Sequence, residues 1–94
     1  MSEAMAALVA LVRAHGITVA RHHPGGGTHD IACLAFAGVP DAVEFLEQTA
    51  HLMDYRMGTN LALTLLPPTL ETPHPGAQVS WLAEDTAAIA AAWG

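Results

Sequence analysis

Two strand-like runs, Ile17–His23 and Asp30–Ala37, are separated by a break at Pro24–Thr28 that includes Gly25, Gly26 and Gly27. The first run carries the β-branched residues Ile17, Thr18 and Val19, which suit a pleated strand. Pro24 cannot donate to a ladder, and the glycines supply the unusual backbone angles of a tight reversal. A connection this short admits an antiparallel hairpin but not a parallel crossover.

On its N-terminal side, Ser2 is a fitting N-cap, Glu3 suits the positive end of a helix, and Met5, Leu8, Leu11 and Val12 recur at helical spacing. His15 and Gly16 close this first helix, placed at residues 3–15. After the hairpin, Pro40 in a first-turn position opens a second helix that is expected to reach Met57 and stop at Gly58. Its apolar stripe reads Val43, Leu46, Ala50, Met53 and Met57. Asp41, Glu44, Glu47, Gln48, His51, Asp54 and Tyr55 share the opposite arc. Phe45 and Leu52 widen the apolar side to nearly half the wheel, which implies a second contact, with helix one or with another subunit. Leu61, Leu63 and Leu65 alternate along a strand at Asn60–Leu66 that ends at Pro67-Pro68. A loop with four Pro, expected to be partly ordered, leads to a strand at Ala77–Leu82 with Val79 and Trp81 on one face. Glu84-Asp85 cap a last, Ala-rich helix in which Ile89 and Trp93 share a face. The order αββαββα predicts one α+β domain over residues 1–94, with a four-stranded antiparallel sheet and helices packed mainly on one face. The other face is then exposed or buried in an oligomer. Trp81 and Leu63 are expected in the core.

Nineteen Ala bury little area each, and only five aromatics (Phe36, Phe45, Tyr55, Trp81, Trp93) supply large anchors, so self-association is expected to add buried area. The formal charge of −6, with three Arg and no Lys, argues against nucleic acid and anionic membrane surfaces as partners. It fits a soluble protein, or one whose partner is basic. Six His make that charge sensitive to pH. Cys33, the only cysteine, excludes an intramolecular disulfide and reads as a small buried hydrophobe rather than a nucleophile. Glu3 stands where a signal peptide would be basic, and no apolar run approaches the roughly 20 residues of a membrane span, so the cytoplasm is the expected location.

Chemistry-bearing residues gather at the hairpin. His22 or His23 with His29 and Asp30 could converge at its neck, and two imidazoles with a carboxylate suit zinc or iron, or proton transfer. In a strand, however, His22 and His23 point to opposite faces. Gly25, Gly26 and Gly27 could present N–H groups to an anion, although this loop joins two strands and does not open a helix. The plainer reading is an exposed polar turn, with no metal or cofactor required. On helix two, Glu47 and His51 are i,i+4 neighbours beside Glu44 and Asp54, a pattern that a solvated face explains equally well.

The fragments His22-His23-Pro24 and Thr28-His29-Asp30 resemble the two His motifs of pterin-4a-carbinolamine dehydratases, and the αββαββα order is similar too. The resemblance implies that His22, His23 and His29 are the acid/base residues of a dehydration. In that family the His-His-Pro follows the central helix, and a strand separates it from the second motif. Here it precedes the central helix and three Gly intervene. On these nine residues the chain is not assigned to the family. The expected function is a small, acidic binding or interaction module that self-associates. The alternatives are a lyase or hydratase using the His group, and an acidic partner of a basic protein.

Overall fold

The structure, a computed structural model, describes residues 2–26, 30–53, 61–71 and 73–94. In chain order it contains α1 (Glu3–Ala14), β1 (Arg21–His23), β2 (Ile31–Phe36), α2 (Val39–Leu52), β3 (Ala62–Leu66), β4 (Gly76–Leu82), a 3-10 turn (Ala83–Asp85) and α3 (Thr86–Trp93). The αββαββα order and the antiparallel four-stranded sheet are as expected, with strand order β1-β2-β4-β3. All three helices lie on one face. α1 packs on α3, and α2 packs on β4, β2 and α3.

Local chemistry sets the element ends. The Ser2 hydroxyl accepts the Met5 N–H at 3.2 Å and caps α1, and Pro40 occupies the first turn of α2. The first strand is shorter than Ile17–His23. The Val19 carbonyl accepts from the Arg13 guanidinium at 3.2 Å, and the Thr18 N–H donates to the Asp41 carboxylate at 3.2 Å. These backbone groups are therefore committed to side chains rather than to a ladder, while Ile17 and Val19 still bury their side chains. Regular pairing begins where the Ala20 N–H donates to the Ala35 carbonyl. α2 ends at Leu52 with Met53 as its C-cap, short of the expected Met57; Met57 and Gly58 themselves lie outside the described residues.

The core joins Met5, Leu8 and Val12 of α1 to Ala32, Leu34 and Phe36 of β2, Ala77, Val79 and Trp81 of β4, Phe45 of α2 and Ile89 of α3. Two sequence expectations are corrected here. First, the inward line of α2 is Ala42, Phe45 and Thr49, whereas Val43 is 37% exposed. Phe45 sets this phase because it is the largest apolar side chain of the helix. Its ring lies 5.6 Å from Phe36, 5.9 Å from Trp81 and 5.6 Å from Trp93, the last pair stacked. Phe45 is thus fully buried within the subunit and is not an edge open to another chain. The second contact of α2 is α3 rather than helix one. Second, Trp81 is buried as expected, but Leu63 is 38% exposed. β3 is an edge strand, and α2 covers β2 and β4 without sealing the side chains beyond them.

Among the described residues, both buried polar residues are Thr, and each accepts an indole N–H. Thr86 accepts from Trp81 and Thr49 from Trp93, both at 2.9 Å. A buried indole needs such an acceptor, so the aromatic core is polar-satisfied at both ends. No helix among the described residues is long and apolar enough to cross a membrane.

Candidate functional site

The hairpin residues divide between the two faces of the sheet. His22 stands opposite Leu34 on the helix face, and its Nδ1 is buried with no hydrogen-bond partner among the described residues. His23 stands opposite Cys33 on the open face. Gly27, Thr28 and His29 lie outside the described residues. Gly25 has a φ of +81°, and a Cβ there would stand 3.0 Å from the Ala83 Cβ and 3.2 Å from the Ile31 carbonyl oxygen, so both angle and space call for glycine. The Gly26 N–H donates to the Asp30 carboxylate, and so does the N–H of Ile31, at 2.8 Å. These two backbone bonds, Gly26 first, hold the Asp30 carboxyl below its ordinary value, with His23 adding a smaller electrostatic pull in the same direction. Asp30 therefore works as the fastener of the turn. Among the described residues, no group of three or more His, Cys, Asp or Glu is placed to hold a metal ion.

The acidic arc of α2 is a solvated face in its described part. Glu47 and His51 are both exposed. Glu44 reaches the Nε2 of His15, at the end of α1, at 4.0 Å. Asp54 lies outside the described residues.

The larger concentration of chemistry is on the open face, where register aligns residues distant in sequence. One cross-strand row runs His23, Cys33, Ser80, Ala62, and the next runs Arg21, Ala35, Gln78, Thr64. Ala35 is the small member of its row. It is only 5% exposed, between the long side chains of Arg21 and Gln78. This step in side-chain length makes a floor. A hollow of about 370 Å³ extends from it toward the Pro-rich loop, reaching Leu66, Glu71, His74 and Gly76. A second, of about 240 Å³, extends toward His23 and Cys33. Arg21 and Ala35 line both. Gly76 lets β4 approach the end of β2 closely, because a Cβ there would stand 2.7 Å from the Phe36 carbonyl oxygen.

Arg21 gives this face its electrostatic character. Of the other two Arg, Arg13 is engaged with the Val19 carbonyl, and Arg56 lies outside the described residues. Cys33 is half-buried on the open face and is not a core residue, which corrects the sequence reading. Desolvation raises its thiol pKa above the ordinary value, against smaller lowering contributions from Arg21 and the His23 backbone, so the neutral thiol is favoured. Arg21, Gln78, Ser80 and Thr64 were not singled out from the sequence. The available signal was their i,i+2 spacing, Arg21 with His23, Cys33 with Ala35 and Gln78 with Ser80, which places each pair on one face of its strand.

Comparison with protein families, with curated proteins and with solved structures finds no match to this chain.

Proposed function

We propose that this protein is a small binding module that seats a small anionic ligand, a carboxylate or a phosphate monoester, on the open sheet face with Arg21 as its anchor. The observation that carries this reading is the pair of adjoining hollows that share Arg21 and the Ala35 floor. A guanidinium offers a planar fork of donors that matches carboxylate or phosphate oxygens. The Gln78 amide lines the smaller hollow with Arg21 and can complete the ligand's hydrogen bonds. Glu71 lines the larger hollow and disfavours polyanions, in keeping with the overall charge of −6. A cytoplasmic setting belongs to the proposal, since the single thiol needs no oxidising compartment. The lyase alternative has less support, because His22 and His23 occupy opposite faces of β1.

Thermal shift with inorganic phosphate, a phosphate monoester and a panel of mono- and dicarboxylates tests the proposal. At least one of these probes should raise the melting temperature in proportion to the logarithm of its concentration, as mass action requires. Arg21→Ala should remove the response with little change in the melting temperature of the free protein, while His51→Ala, on the exposed arc of α2, keeps it. A response that survives Arg21→Ala, or no response to any probe, overturns the proposal.

A further inference from the structure

The sheet has two edges, and they differ. β1 is three residues long and begins with a charged side chain, Arg21. Short length and charge are the usual devices that keep an edge from pairing with another chain. β3 has neither device. Its five residues, Ala62–Leu66, pair with β4 in unbroken register from Ala62 opposite Ser80 to Leu66 opposite Gly76, so no bulge turns the edge away. Pro67 and Pro68 come only after the strand has ended. No described strand lies beyond it. Its helix-face side chains, Leu63 and Leu65, are 38% and 63% exposed.

We infer that β3 is a self-pairing edge, along which two copies of this chain join antiparallel about Thr64 so that their sheets run on into one another. Charge selects the second copy as occupant. The chain carries a net −6, yet the fourteen residues 57–70, which include β3, hold no charged side chain. Two copies can meet along this strip without apposing carboxylates, whereas a basic partner drawn by the acidic chain finds no carboxylate here to pair with. The strand is also complementary to itself. A two-fold axis at Thr64 sets Leu63 of each copy opposite Leu65 of the other, and Ala62 opposite Leu66. The pairing satisfies the free backbone edge and covers both exposed leucines on one face, as cross-strand apolar pairs require. A five-residue strand pair is a small interface, so the dimer is concentration-dependent. This inference rests on the β3 edge and not on the anion site, although the larger hollow of that site reaches Leu66 at the end of β3.

Sedimentation equilibrium across the micromolar range tests it, with circular dichroism to check that each variant is folded. Wild type should pass from monomer to dimer, and Leu65→Glu, at a position already largely exposed, should weaken association at least tenfold. In a Cys33→Ser background, Thr64→Cys should form an intermolecular disulfide under mild oxidation, because the axis brings the two Thr64 positions together. A wild type that stays monomeric at high micromolar concentration overturns the inference. So does a dimer that a folded Leu65→Glu variant leaves intact, or a dimer in which Thr64→Cys fails to cross-link.

Discussion

On the helix face of the sheet, Ala32, Leu34, Phe36, Ala77, Val79 and Trp81 are each at most 2% exposed. One residue along the same strands, on the open face, Cys33, Gln78 and Ser80 are half-buried and Arg21 is exposed. The backbone is common to both faces, and the difference arises from the two-residue period of a strand together with helices on one side only. One face is filled by interlocking apolar side chains and holds stability. The other has a small residue, Ala35, set between long polar ones, and is left with room. Each face has an exception. Thr49 and Thr86 are polar in the sealed layer, where the indole N–H groups need them. Ala35 is buried on the open side.

The sharpest test of this contrast is Phe45→Ala, which removes the ring between Phe36, Trp81 and Trp93. It should cost about 3–5 kcal/mol in urea unfolding, as transfer and cavity terms add. It tests the placement of Phe45 as well, because a residue at an intersubunit edge would cost far less in the monomer. Thr49→Val keeps the volume but removes the acceptor of the Trp93 indole and should cost about 1–2 kcal/mol by the same measurement. Leu63→Ala, measured at concentrations where the protein is monomeric, should cost under about 1 kcal/mol, since this side chain is already partly in water. A loss of about 2–5 kcal/mol would put Leu63 in the sealed layer after all, as its alternation with polar neighbours suggests.

The smallest effect belongs to the hairpin. The Asp30 carboxyl is lowered from 3.8 in the folded state by the N–H groups of Gly26 and Ile31. A depressed carboxyl contributes stability above its unfolded value, and that contribution is lost as the pH falls through the lower folded value. Wild type should therefore exceed Asp30→Asn in stability near neutral pH, with the gap closing only below about pH 4. A pH-independent gap would mean that the side chain acts through shape rather than charge.

Much of the architecture was legible because its signals are local. The Ser2 cap, Pro40 in a first turn, the glycine-rich reversal at Gly25 and the Pro67-Pro68 stop each act within a few residues, and together they set the element order. The alternation in β4 placed Trp81 correctly for the same reason. The candidate site was less legible. His22, His23 and Asp30 are neighbours in sequence, yet a strand sends the first two to opposite faces, and Asp30 is taken up by the turn's own N–H groups.

What the sequence by itself determined was which segments are helix or strand and which side chains share a face of each. Register and coverage were decided only by the tertiary structure. Nothing in Arg21-His22-His23 states that Arg21 will stand beside Ala35 and Gln78, because that depends on pairing with strands about 14 and 57 residues away. Nor does the alternation of Leu61, Leu63 and Leu65 state whether a helix covers them. The same pattern serves a buried central strand and an exposed edge, and only the position of α2 over β2 and β4 separates the two outcomes. Periodicity is a property of neighbours along the chain, whereas burial depends on what packs across from them.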